Sequence, residues 1–263
     1  MVSFQSSDFY RVSDLREIIA LLRSEEGCPW DREQTHQSIR RNFLEETWEA
    51  CEAIDRDDPQ LLQEELGDVL LQVMFHARIE EEAGRFNLDD VADLTCKKLI
   101  SRHPHIFADT KLSDVQAVLA SWDEIKRQEK QHETTAQAMD AVAKSLPANW
   151  RAEKVQAKAK KVGFDWPNAA GAIEKLEEEL AELKAAVRRG EGIEEEMGDL
   201  LFSAVNVARL LEQDPEKVLH LSTDKFIRRF AYLEQAAKKS GQALKEMTLD
   251  EMEALYQEGK GRL

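Results

Sequence analysis

Five short segments of this chain recur in the same order about 130 residues later. GCPWD (27–31) answers VGFDW (162–166), and LEETWE (44–49) answers EEELAE (177–182). QEELGDVLL (63–71) answers EEEMGDLLF (194–202), KLISR (98–102) answers KFIRR (225–229), and LASWDEIK (119–126) answers EALYQEGK (253–260). Order kept over five pairs is the mark of a tandem duplication, so whatever one half folds into, the other must fold into as well. The sequence therefore predicts two domains, 1–134 and 148–263, joined by a polar linker at 135–147 that ends in Pro147.

Each half is predicted to be helical. Gly and Pro are scarce, while Leu, Ala, Glu and Lys abound, which favours helix. Apolar residues recur with a helical period nearly throughout, and no alternating strand or hairpin signal interrupts them. The expected helices run from a Ser13 cap to Gly27, Gln37 to Asp57, the Asp58-Pro59 start to Gly84, Asn87 to Ser101, and Ser113 to about Lys130. The second half gives Ala148–Val162, Asn168–Arg189, Ile193–Glu212, Pro215–Lys239 and Thr248 to about Glu258. The fold class is all-α, a duplicated helical bundle.

The acidic residues fall into a pattern. Glu178, Glu179 and Glu182 form EExxE on one helix, and Glu196 and Asp199 form ExxD on the next. Residues three or four apart share a helix face, and the short RRGEG turn predicts antiparallel packing. Counted from residue 191, Glu182 is nine positions back and Asp199 eight forward, so both reach nearly the same height. The first half repeats this with Glu46, Glu49, Glu65 and Asp68. Carboxylates brought together beside apolar neighbours repel one another. A hard cation resolves the conflict, and an oxygen-only set without His or Cys suits Mg²⁺, with Mn²⁺ as a substitute.

Cations complete the pattern. Lys225 and Arg229 share a helix face, Lys98 and Arg102 repeat the step, and Lys175 lies four residues before Glu179. A metal site with Lys and Arg beside it suits a polyphosphate. EExxE followed by ExxD, GCPWD near the start, RHPHIF (102–107) and KFIRRF (225–230) together resemble the MazG family of nucleoside triphosphate pyrophosphohydrolases over almost the whole chain. The resemblance implies a MazG-type bundle, Mg²⁺, and hydrolysis of NTPs and dNTPs to the monophosphate and pyrophosphate. It implies Glu179, Glu182, Glu196 and Asp199 as metal ligands, with Glu46, Glu49, Glu65 and Asp68 their N-terminal equivalents. It implies Lys175, Lys225, Arg229 and Tyr256 as substrate-binding. Tyr256 stands where the family can carry Trp, and Gly192 where it can carry Lys. A glutamate outside the metal set, Glu178 or Glu195, is expected to accept the proton of the attacking water. The residues themselves leave open whether water attacks the α or the γ phosphorus; the α choice is implied by the resemblance.

Other features bound the function. A net charge of −16 argues against nucleic acid and anionic membranes as partners. Cys28, Cys51 and Cys96 form no CxxC, which points to reduced thiols in a cytoplasmic protein; the N-terminus lacks a signal-peptide core and no apolar run reaches a membrane span. Trp30 and Trp166 are expected in the core, with base stacking the alternative, and His103-Pro104-His105 is expected to be a loop. The stripe Leu200, Leu201, Ala204, Val205, Ala208 and Leu211 asks for more cover than one small bundle supplies, which predicts a homodimer. A di-iron bundle would need paired Glu-x-x-His motifs, a P-loop needs GxxxxGK[ST], and a Nudix enzyme needs strands and a complete box; none is present. The reading from another class is an acidic helical scaffold that binds a protein without catalysis.

Overall fold

The computed structural model describes residues 4, 6–108, 114, 117–118, 121–122, 125 and 134–261. Among them every regular element is helical: twelve α-helices and one 3₁₀ turn, with no strand. The all-α, duplicated architecture predicted from periodicity is the one found. The helix predicted from Ser113 to Lys130 lies mostly outside the described residues. The chain divides into two compact units, Met1–Lys126 and Arg127–Leu263.

The first unit contains α1 (Val12–Leu22), α2 (Pro29–Glu33), α3 (His36–Asp55), α4 (Pro59–Glu82), α5 (Leu88–Arg102) and α6 (Pro104–Phe107). Asp58 caps α4, its carboxylate accepting the N–H groups of Gln60 and Leu61, with Pro59 at the first helical position, where a missing N–H costs nothing. Ile19, Ile39, Met74 and Phe75 form the core where α1, α3 and α4 meet. Arg23 closes the end of α1: its buried guanidinium stands 2.8 Å from Glu82 on α4 and donates to the Asp31 carbonyl at 2.6 Å. A second polar knot joins α3 to α4, with His36 Nε2 2.5 Å from Glu80 Oε1, His36 Nδ1 2.7 Å from His76 Nδ1, and Arg85 Nε 2.5 Å from Glu80 Oε2.

Two local expectations are corrected. Ser13 is not the cap of α1. The cap is Arg11, whose backbone N–H donates to the Asp14 carboxylate at 2.6 Å. The helix also stops at Leu22, because the chain folds back and the Cys28 N–H donates to the Leu22 carbonyl at 2.8 Å. The stretch 135–147, expected to be linker, contains α7 (Thr135–Asp140). Thr134 caps it by accepting the Gln137 N–H, and Val142 just beyond is buried. Its polar composition hides a few apolar anchors, Met139 and Val142, that suffice to dock it.

The second unit continues with α8 (Ala148–Lys160), α9 (Ala169–Arg189), α10 (Ile193–Leu210), α11 (Pro215–Lys239), the 3₁₀ turn Leu244–Glu246 and α12 (Leu249–Lys260). Asn168 caps α9, and Asp214 caps α11 while also accepting the Trp150 indole N–H at 2.9 Å, which ties α8 to α11. The buried apolar set is small: Ala172, Leu183 and Ala186 of α9, Val205 of α10, Leu233 and Ala237 of α11, with Val142 and Met247. A core so rich in alanine brings helices close but buries little area. Much apolar surface stays outside.

Candidate functional site

The acidic motifs converge because α9 and α10 pack along each other across the turn Gly190–Gly192. Gly190 and Gly192 both adopt left-handed backbone, φ 76° and 75°, which a residue with a Cβ adopts only at a cost. That gives a local reason for glycine at 192. Glu179, Glu196 and Asp199 each bring one carboxylate oxygen to within 4.8 Å of the others. In the first unit the same is true of Glu46, Glu49 and Glu65, carried by α3 and α4.

Glu182 stands beside the second triplet, and Asp68 acts on the first. Burial, a hydrogen bond with Glu179, and the charges of Glu179 and Glu196 push the Glu182 carboxyl above the usual carboxylate range, against the pull of Lys175. Burial, then the charges of Asp68 and Glu49, raise Glu46. Burial, then Glu49, Glu64 and Asp68, raise Glu65. Crowded carboxylates that hold their protons this way are the electrostatic signature of a site short of positive charge. The donor set fits a hard divalent ion: bonds of about 2.1 Å in octahedral geometry put ligand oxygens roughly 3–4 Å apart, within the spacing found here.

Lys175 supplies a cation at the second cluster, its Nζ 2.8 Å from both Glu178 Oε1 and Glu179 Oε1. Those two carboxylates raise its pKa and keep it charged. Glu178 is thereby tied to Lys175, whereas Glu195 is exposed near the start of α10. Lys225, Arg229 and Tyr256 form a separate group. The Arg229 guanidinium lies 5.8 Å from the Tyr256 ring centre, and the Phe226 ring packs against the same tyrosine at 5.6 Å. Among the described residues Lys225 and Arg229 pair with no carboxylate.

A cleft of about 610 Å³ opens beside the second cluster, and Lys175, Glu179 and Asp199 are part of its lining. None of Lys225, Arg229 and Tyr256 lines it. The rest of its lining includes Gln156, Asp165, Trp166, Phe202, Asn206 and Arg209. Here Arg209 reaches Asp165 Oδ1 at 2.5 Å and Oδ2 at 3.1 Å, and donates to Asn206 Oδ1 at 2.7 Å through Nη2. Burial opposes ionisation of Asp165, but the Arg209 hydrogen bonds and charge win and hold its pKa below the usual range.

This polar group escapes a reading of the sequence, apart from the VGFDW segment that contains Asp165 and Trp166. Asn206 and Arg209 are three residues apart on α10, but Asp165 lies 44 residues before Arg209; the hint available was an arginine, Arg209, on the apolar stripe of α10. The tryptophans are not in the core. Trp30 is 61% and Trp166 41% exposed, and Trp166 lies so close to α9 that a Cβ at Gly171 would sit 2.8 Å from its ring. His103-Pro104-His105 ends α5 and opens the short α6, with His103 Nδ1 2.6 Å from the Leu99 carbonyl oxygen.

The sequence profile of the MazG nucleotide pyrophosphohydrolase domain matches residues 34–107 and again 169–232. The chain belongs to the MazG family. Both MazG copies coincide with the helix pairs that carry the carboxylates, α3–α4 and α9–α10. A nucleoside triphosphate pyrophosphohydrolase/pyrophosphatase MazG of Thermotoga maritima is 43% identical over 248 residues, covering 94% of this chain and 95% of its own length. The nucleoside triphosphate pyrophosphohydrolase of Escherichia coli K12 is 40% identical over 255 residues, 95% of this chain and 97% of its own. As in the sequence reading, the MazG resemblance spans both halves. The three cysteines are free, and no helix among the described residues is long and apolar enough to cross a membrane.

Proposed function

We propose that this chain hydrolyses nucleoside and deoxynucleoside triphosphates to the monophosphate and pyrophosphate, with Mg²⁺ as its cofactor and Mn²⁺ as a substitute. The observation that carries this reading is the meeting of Glu179, Glu196 and Asp199 within 4.8 Å, with Lys175 beside them, at a cleft large enough for a nucleotide. Glu179, Glu182, Glu196 and Asp199 would hold the ion, and Glu46, Glu49, Glu65 and Asp68 are their counterparts in the first unit. Bound there, Mg²⁺ would supply charge neutralisation for the phosphates and Lewis acidity for the attacking water.

The protein's own groups do the rest. Lys175, Lys225 and Arg229 place positive charge on the phosphates, and each charge-assisted hydrogen bond adds roughly 1.5–3 kcal/mol. Phosphoryl transfer needs positioning and charge neutralisation more than covalent help. Glu195, exposed and free of a partner among the described residues, is the better placed proton acceptor; Glu178 must first release Lys175. Tyr256, already held under Arg229, offers a ring face to the nucleotide. The C-terminal unit is the main catalytic one.

The working form is a homodimer. Leu201 is 59% exposed in the single chain, and Leu180, Met197, Phe202 and Leu211 around it are exposed as well. Such a face is expected to be covered in solution.

A panel of NTPs and dNTPs with Mg²⁺, resolved by product, tests the reaction. Monophosphate and pyrophosphate in equal amounts are expected. Release of inorganic phosphate would place attack at the γ phosphorus, and absence of any metal-dependent turnover would favour the acidic scaffold. Asp199→Asn should keep the helical fold and lose most activity, because an amide is a neutral and poorer ligand for a hard ion.

A further inference from the structure

We propose that His36 and His76 form a proton switch at the start of α3. The contact between α3 and α4 stays closed while the two rings share a proton between their Nδ1 atoms, and it opens when both Nδ1 atoms are protonated.

The geometry fixes where the protons are. Arg85 holds Glu80 as a carboxylate, through Nε at 2.5 Å and Nη2 at 2.8 Å. A carboxylate only accepts, so His36 Nε2, 2.5 Å from Glu80 Oε1, is the donor there. The other nitrogen of His36 faces His76, with 2.7 Å between the two Nδ1 atoms. The ring centres are 5.0 Å apart and the ring planes only 9° from parallel. A five-membered ring of such bonds has a radius of about 1.15 Å, so 5.0 Å is the largest separation that a 2.7 Å nitrogen contact allows. The two Nδ1 atoms therefore point straight at one another. That is the arrangement of one N–H···N hydrogen bond, not of two lone pairs turned to a common ion.

Four ring nitrogens share the protons. With both rings neutral, one proton sits on His36 Nε2 and one between the Nδ1 atoms. A third has a place on His76 Nε2 and leaves both bonds intact; its charge can pass to His36, beside Glu80. A fourth puts an N–H on both Nδ1 atoms, head to head, on two cations. The pair titrates as a unit, and burial, then the His36 charge, lower the His76 pKa. The other charged groups at the pair are Glu80, on the same helix, and Arg85, in the turn that follows it. Elsewhere on α3, Arg40 is exposed and Arg41 turns to Glu45. Arg16 and Arg23 of α1 turn to Glu81 and Glu82, and Asp89 of α5 turns to Arg16. Glu81 and Glu82 leave α4 by other faces than His76 and Glu80.

His36 is the first residue of α3, and its side chain is 34% exposed, so water reaches the pair. A helix end opens more readily than a helix middle, and a cation is unfavourable at a helix N-terminus. The fourth proton therefore releases the start of α3. Phe43 packs on His76, ring centres 5.5 Å apart, one turn before Glu46, so the switch sits on the helix that carries Glu46 and Glu49.

The test follows the ring nitrogens of the full-length, nitrogen-15-labelled protein by NMR from about pH 8 to about pH 4.5. Amide hydrogen exchange at Ile39 and Arg40 is measured over the same range. Six histidines keep the ring signals few enough to assign. Two protonation steps of the pair are expected, at least about one pH unit apart. Protection at Ile39 and Arg40 should fall roughly tenfold at the second step and not at the first. His76→Asn keeps a hydrogen-bonding amide near the place of Nδ1 but takes no proton, so the acid step in protection should vanish while every carboxylate remains. Independent titration of the two rings, or no second step in this range, overturns the switch. So does an equal loss of protection in His76→Asn, since carboxylates then do the opening. Should the variant fail to fold, the wild type still decides: protection lost at any step but the second overturns the switch.

Discussion

Lys175 lies one helical turn before Glu179, with its Nζ 2.8 Å from the Glu179 carboxylate and 2.8 Å from that of Glu178. The Glu179 side chain is nearly buried, so Lys175 is the counter-charge that lets a carboxylate sit there with Glu196 and Asp199 near it. Lys175→Met should therefore act twice. Without metal, the melting temperature should fall, and saturating Mg²⁺ should restore most of it by supplying the missing charge. With Mg²⁺ present, KM for a triphosphate should rise by roughly tenfold or more, as expected for one lost charge-assisted hydrogen bond. Calorimetry with and without Mg²⁺ checks the first effect; an unchanged melting temperature in metal-free buffer would remove Lys175 from this role.

Glu80 gives the pH dependence of the first unit. Its hydrogen bonds from Arg85, then from His36, and their charges pull its pKa down to about 2, against burial. A depressed carboxylate stabilises the fold above its unfolded value, about 4.3, and that contribution disappears as pH falls towards 2. His76 works in the same direction from higher pH: burial and the His36 charge lower its pKa, so acid below its usual range protonates the unfolded chain first. Glu80→Gln should cost stability at pH 7, and its difference from the wild type should shrink between about pH 4.3 and pH 2. Urea midpoints across that range measure it. A difference constant with pH would mean that the glutamine loses packing, not charge.

Arg209 and Asp165 are a nearly buried pair, 8% and 12% exposed at their side chains. Removing one partner strands the other, so Arg209→Leu should destabilise the second unit by about 3–5 kcal/mol. Adding Asp165→Leu should recover part of that loss. A double-mutant cycle by urea unfolding isolates the coupling; additive single effects would show that the pair contributes nothing as a pair.

What was legible in the sequence, and what was not, follows the range of each signal. Asp58-Pro59, Asn168 and Thr248 mark helix starts because capping is settled within three residues. The carboxylate sets were legible because EExxE and ExxD each fix a helix face, and one short turn brings the two faces together. Ser13 failed because Arg11 caps through its backbone with help from Asp14, which no residue preference reports. The helix at Thr135–Asp140 was missed because two apolar anchors in a polar run leave little periodicity. The cleft was out of reach because Gln156, Asp165 and Arg209 come to line it together only through the packing of three segments.

The apolar face of α9 and α10 predicts association. Leu180, Met197, Leu201 and Phe202 are all exposed in the single chain, and a second copy is the cover that the MazG resemblance implies. Sedimentation at micromolar concentration should give a dimer, and Leu201→Glu should shift it towards monomer by burying an unpaired charge. A wild-type monomer under those conditions would leave the face to another partner.

The two units differ where it matters for a triphosphate. Both bring three carboxylates together, but the second has Lys175 one turn ahead of its acidic motif and the first has Asn42 at that place. Arg41, the neighbouring cation, does not substitute: it is turned outward, with its Nε 2.8 Å from Glu45 Oε1, as a step of about 100° around the helix requires. The first cluster thus keeps the repulsion that raises Glu46 and Glu65 without a lysine to offset it. A triphosphate adds close to four more negative charges, so the first unit should bind it less well at equal Mg²⁺. Glu179→Gln with Glu182→Gln should therefore remove most pyrophosphate release, while Glu46→Gln with Glu49→Gln should leave most of it. The opposite outcome would assign the reaction to the first unit. If each pair halves the rate, both units turn over and Lys175 is not what separates them.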